Sequence, residues 1–98
     1  MLVKNKFVIS FILYFIFLSF SLAKENYYDE AKNKFDEKEL EVSKFLFQKN
    51  IVFNPKDAKS YLYLAKIFNL EENEKEEEKN LDTTLLLDPS NEEAMYML

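Results

Sequence analysis

The stretch Tyr61-Leu62-Tyr63-Leu64-Ala65-Lys66-Ile67-Phe68, closed further on by Pro89, decides how this chain folds. Apolar side chains at 58, 61, 62, 64, 65 and 68 recur at the spacing of one helix face. Tyr63 and Ile67 widen that stripe, leaving Lys59, Ser60, Lys66 and Asn69 as the polar positions. A helix apolar over so much of its girth needs neighbours on more than one side. Asp57 precedes it as a candidate N-cap. The chain contains no glycine, so Asn69 is the expected left-handed residue at its end.

The pattern returns along the chain. There are two prolines, Pro55 and Pro89, and each follows a short polar residue (Asn54, Asp88) and three apolar ones. The shift that carries one proline onto the other also superposes Tyr27 on Tyr61, Ala31 on Ala65, Lys32 on Lys66, Glu37 on Glu71 and Phe47 on Leu81. A fixed period of this size, about 34 residues, marks stacked units that bury a continuous core only against each other.

Each unit reads as two helices. The partner of 58–68 runs from about Glu74 to Leu87 with Leu81, Thr84, Leu85 and Leu87 toward the packing side. Glu74, Glu76, Glu77 and Glu78 in its first turns complement the helix dipole. Pro89 ends it, and Ser90-Asn91 caps the next start. The earlier unit runs from Tyr27 to Phe35, turns at Asp36-Glu37-Lys38, and continues from about Glu39 to Ile51 with Leu40, Phe45, Phe47 and Ile51 packing. No long period-two alternation calls for strands.

Tyr61, Leu64, Ala65, Phe68 and Pro89, with Leu81 at the later large-apolar place, resemble the tetratricopeptide repeat (TPR) family. The unit 24–57 matches at Tyr27, Ala31, Ser43, Phe47 and Pro55, with Glu30 and Lys34 where the family has apolar residues. Glu77 and Thr84 stand where the family places small residues on the second helix. The resemblance implies an all-α chain: two stacked TPR-like helical hairpins, 24–57 and 58–91, and the start of a third at 92–98. It also implies a concave groove that binds proteins or peptides. By position, that groove presents Tyr28, Lys32 and Phe35 from the first unit and Lys59, Leu62, Lys66 and Asn69 from the second. Lys32 and Lys66 at equivalent places suit an acidic or C-terminal carboxylate ligand; the plainer reading makes both merely solvated.

Residues 1–23 read as an address, an N-terminal apolar helix ahead of the repeats. Lys4 and Lys6 precede Phe7–Ala23, which is apolar throughout except at Ser10, Ser19 and Ser21 and ends Ser21-Leu22-Ala23. These are the parts of a secretory signal peptide. As a helix the run spans about 25 Å against a hydrocarbon core of about 30 Å, yet it exceeds the usual apolar core of a signal. Two outcomes therefore stay open. Cleavage after Ala23 yields an exported protein, periplasmic or secreted; retention yields a membrane anchor through residues 7–23.

Composition narrows the function further. Without residues 1–23 the chain carries 11 Lys against 18 acids, net −7, which repels phosphate backbones and excludes nucleic acid as a partner. It has no His, Cys, Gly or Arg. That removes imidazole bases, thiolates and zinc sites, phosphate-cradling loops and bidentate carboxylate clamps, so no cofactor is expected. The run Glu71 to Lys79, with six Glu and two Lys, lacks the spacing of a calcium loop and reads as a solvated face. Two helical pairs offer no evident cleft to raise a carboxyl pKa, so catalysis is not expected. Repeat arrays usually need about three units to bury a continuous core. The expectation at Met97-Leu98 is therefore an open apolar edge, covered by a partner, by a second copy through self-association, or by a continuation of the chain.

Overall fold

A computed structural model describes residues 26–98, and within them the chain forms five α-helices and no strand. They are α1 (Tyr28–Asp36), α2 (Leu40–Phe53), α3 (Ala58–Leu70), α4 (Glu74–Leu87) and α5 (Glu92–Met97). The segment 1–23, with its signal or anchor reading, lies outside the described residues. Among those described, no helix is long and apolar enough to cross a membrane.

The turns inside the two helix pairs are built alike. Lys38 (φ 64°) and Glu72 (φ 58°), at equivalent places in the two units, take the left-handed conformation. Beyond each, Glu39 N–H donates to Lys34 O and Asn73 N–H to Phe68 O, both at 2.9 Å. A left-handed non-glycine residue costs about 1–2 kcal/mol, offset here by the helix-end carbonyls that the turn satisfies. Asn69, the expected left-handed residue, lies inside α3 instead. The register of the free carbonyls, not residue preference, sets where the chain turns.

Helix starts use two devices. Asn73 and Asn91 cap in the ordinary way, each Oδ1 accepting a backbone N–H three residues on. Asp57 stands at the N-cap of α3, but its carboxylate accepts no backbone cap bond. It takes the Ser60 hydroxyl (2.6 Å) and the Asn50 amide (3.1 Å) instead. Ser60, expected among the polar positions, is fully buried by this arrangement.

Consecutive helices pack antiparallel. Tyr27 N–H donates to Asn50 Oδ1 (2.9 Å) and Ser43 Oγ to Ala31 O (2.8 Å), so the start of α1 lies at the end of α2. Lys44 near the start of α2 holds Glu71 just past α3 at 2.7 Å. Glu71 is the largest cause holding the Lys44 ammonium above its ordinary pKa. The core has two parts. Ala31, Leu46, Phe47, Leu64, Ile67 and Phe68 bury together under Tyr27, Tyr28, Phe35, Leu40, Ile51 and Tyr63. Leu62, Ala65, Leu81 and Ala94 form the second part, beside Leu85 and Met97. Full burial of each large side chain contributes about 1.5–3 kcal/mol.

One packing expectation fails. Phe45 is 61% exposed, and Leu46 takes the inward place. The buried positions of α2 are 43, 46, 47 and 50, one helix face, and Phe45 sits about 100° round from Leu46.

Candidate protein-binding face

The exposed sides of α1 and α3 lie next to each other and share a cluster of rings. Tyr28, Lys32 and Phe35 follow one another at four and three residues, which aligns them on one face of α1. From α3, Tyr63 fills the space between the two helices. Its ring centroid is 6.0 Å from that of Tyr28 and 5.1 Å from that of Phe35, both edge-on, and it stacks on Phe47 at 5.0 Å. The residues singled out on α1 are thus joined to α3 through Tyr63, which by sequence only widens the apolar stripe. The signal is present in Tyr61-Leu62-Tyr63, where Tyr61 donates its hydroxyl to the Pro55 carbonyl and Tyr63, two residues away, lies on a different side of the helix, against the core.

Burial pushes the Tyr28 hydroxyl up to about 12, and the neighbouring Tyr63, Asp57 and Asp29 add to the shift. The Lys59 ammonium lies 6.0 Å from the Tyr28 ring and the Lys66 ammonium 4.7 Å from the Tyr63 ring. Both are within reach of a cation–π attraction.

The two equivalent lysines differ in their company. Lys66 ion-pairs with Glu93 of α5. Shifting that pair back by one repeat gives Lys32 and Lys59, two cations where the next unit has a cation and its carboxylate. Lys32 is exposed and makes no ion pair among the described residues. Two cations therefore stand where the first helices of the two units meet, and Lys59 lines an open depression of about 500 Å³ with Asn26, Tyr28, Asn54, Pro55, Lys56 and Asp57.

The other two residues expected at the groove have different surroundings. Leu62 is 6% exposed and belongs to the second core cluster with Leu81 and Ala94. Asn69 is exposed, and its amide donates to both Glu77 oxygens at 3.1 and 3.2 Å. That bond shows how Glu77 is accommodated at a helix contact: it stays half-buried, with its charge met by a neighbouring amide. The acidic run after α3 forms no set of three or more carboxylates able to hold a metal among the described residues.

No model of a known protein family matches this chain, and no curated protein matches it.

Proposed function

We propose that this chain is an exported, non-catalytic interaction module built from two stacked TPR-like hairpins, with α5 opening a third. It holds an acidic protein segment against α1 and α3. The observation that carries this reading is a recurrence in backbone as well as side chains: Lys38 and Glu72 share one rare conformation and the carbonyl contacts around it. Stacked units of this kind leave one face of their first helices available to a ligand.

The acidic character of the ligand rests on Lys32 and Lys59. A ligand carboxylate between them occupies the part that Glu93 plays beside Lys66, and the Tyr28 and Tyr63 rings supply apolar contact at low entropic cost. Binding of a fluorescent Asp/Glu-rich peptide with a free C-terminus, followed by anisotropy, tests this. The double change Lys32→Glu and Lys59→Glu abolishes binding and leaves the circular dichroism unchanged. Equal binding by both proteins sinks the reading.

A second reading keeps the same repeats on a retained anchor, as a membrane-tethered scaffold. It is favoured by the length of the 7–23 run, which exceeds the usual apolar core of a cleaved signal. Intact mass of the exported protein separates the two, because cleavage removes residues 1–23.

A further inference from the structure

We infer that the outer face of α2, with the turn that follows it, is a membrane-contact surface, with Phe45, Val52 and Phe53 as its apolar part and Lys49 and Lys56 as its basic part. The inference rests on the tethered reading and extends it to a defined surface.

The first support is where the chain emerges. Tyr27 is pinned to the second half of α2 three times over: its N–H donates to Asn50 at 2.9 Å, its ring lies 6.0 Å from that of Phe53, and the Lys49 ammonium sits 4.4 Å above it. Ala23, the last residue of the apolar run, is four residues before Tyr27. Four residues of fully extended chain reach at most about 14 Å. Any bilayer that holds residues 7–23 therefore lies within about 14 Å of Tyr27, the residue whose ring rests beside Phe53 and Lys49.

The second support is the surface found there. Phe45, Lys49 and Val52 follow at four and three residues, Phe53 flanks them, and Lys56 stands in the turn just past the helix. Val52 is 74% exposed, Phe45 61% and Phe53 51%. Apolar side chains left in water at this density mark a surface meant to be covered.

Charge selects the cover. From Val42 to Lys56 the chain has no acid and three lysines, in a protein whose remaining surface is strongly acidic. Lys44 is occupied by Glu71 and Glu41, while the other two flank the apolar side chains. The nearby Asp57 carboxylate is engaged with Ser60 and Asn50. Rings and aliphatic side chains beside long basic stems fit the boundary between headgroups and acyl chains of an anionic leaflet. Each lysine near such a surface contributes roughly a fivefold gain in affinity.

The absence of cysteine makes a clean test available. The full chain carrying Val52→Cys, and separately Lys75→Cys on α4, is labelled with an environment-sensitive dye. Each is reconstituted in phosphatidylcholine vesicles with and without phosphatidylglycerol, with a quencher on the lipid chains. The expected result is quenching at position 52 severalfold above that at 75, greatest with phosphatidylglycerol, and reduced by Lys49→Glu with Lys56→Glu. Flotation of the vesicles reports the tether itself. A chain that floats but is quenched equally at both sites overturns the surface and leaves the tether standing; a chain that does not float overturns both. Shielding of position 52 without lipid, with self-quenching of the dye, assigns the face to a second copy and also overturns the inference.

Discussion

The junction of α2 with α3 and its counterpart, that of α4 with α5, are built by different chemistry, although the residues involved stand at equivalent places. Toward α2, Asn50 is buried and makes four hydrogen bonds: its amide donates to Asp57 and Ser60, and its oxygen accepts from Tyr27 N–H and the Asn54 amide. One repeat later the matching residues are Thr84, Asn91 and Ala94. Thr84 donates to Asn80 O within its own helix, Asn91 makes an ordinary cap, and Ala94 packs on Leu62, Ala65 and Leu81. The first junction is thus locked by a polar network joining separate elements, and the second by apolar contact. A buried network fixes relative positions because each member needs its partners, whereas an apolar contact tolerates sliding. Among the described residues neither Lys32 nor Lys59 makes an ion pair, whereas Lys66 is neutralised by Glu93.

The comparison breaks most readily at its core. Phe47→Ala removes a fully buried ring stacked on Tyr63 and is expected to cost about 3–5 kcal/mol in urea unfolding. Leu81→Ala, its counterpart, removes a smaller side chain and falls toward the lower end of about 2–5 kcal/mol. A larger loss at Leu81 would reverse the ranking of the two junctions.

Next comes the network. Asn50→Leu removes four hydrogen bonds at once, those with Tyr27, Asp57, Ser60 and Asn54, at about 1–3 kcal/mol. Thr84→Val removes only a hydroxyl bonded within its own helix and is expected to cost less than about 1.5 kcal/mol. Similar losses in the two unfolding curves would show that the polar lock adds nothing.

Charge provides a smaller effect. Glu93→Gln frees Lys66 from its ion pair, and an acidic peptide is then expected to bind a few-fold tighter, in keeping with exposed pairs worth about 0.2–1 kcal/mol. Weaker peptide binding would mean that Glu93 supports the ligand face.

A further effect is on pH. The folded chain holds the Tyr28 proton up to about 12, against 10.0 for an ordinary tyrosine. A group with its folded pKa raised contributes stability that is complete below pH 10 and lost as the pH climbs toward 12. Thermal melting should therefore fall less steeply across that window in Tyr28→Phe than in the parent protein.

Much of the helix order was legible from spacing. The fixed period and the prolines located α3 and α4 closely, because apolar repeats at three and four residues have few other ways to hide from water. The turn was harder. Without glycine, no residue announced the left-handed position, and Asn69 was the reasonable choice until the carbonyl register gave Glu72 that role. Phe45 misled for a related reason: on a helix with apolar residues on both sides, composition cannot say which side is inward. Of the site, Tyr28, Lys32, Phe35, Lys59 and Lys66 could be placed on their helices from position alone. Tyr63 as the ring between α1 and α3, and Glu93 as the partner of Lys66, could not, since each depends on where a different helix lies.

By itself, the amino-acid order determined that this chain is helical, repeated and acidic, because period, punctuation and charge are local properties that survive without knowing any contact. Only the tertiary structure decided which polar side chains are buried, which lysine is neutralised and which apolar side of α2 faces out. Those outcomes depend on distances between residues far apart in the chain, and a one-dimensional pattern does not contain them.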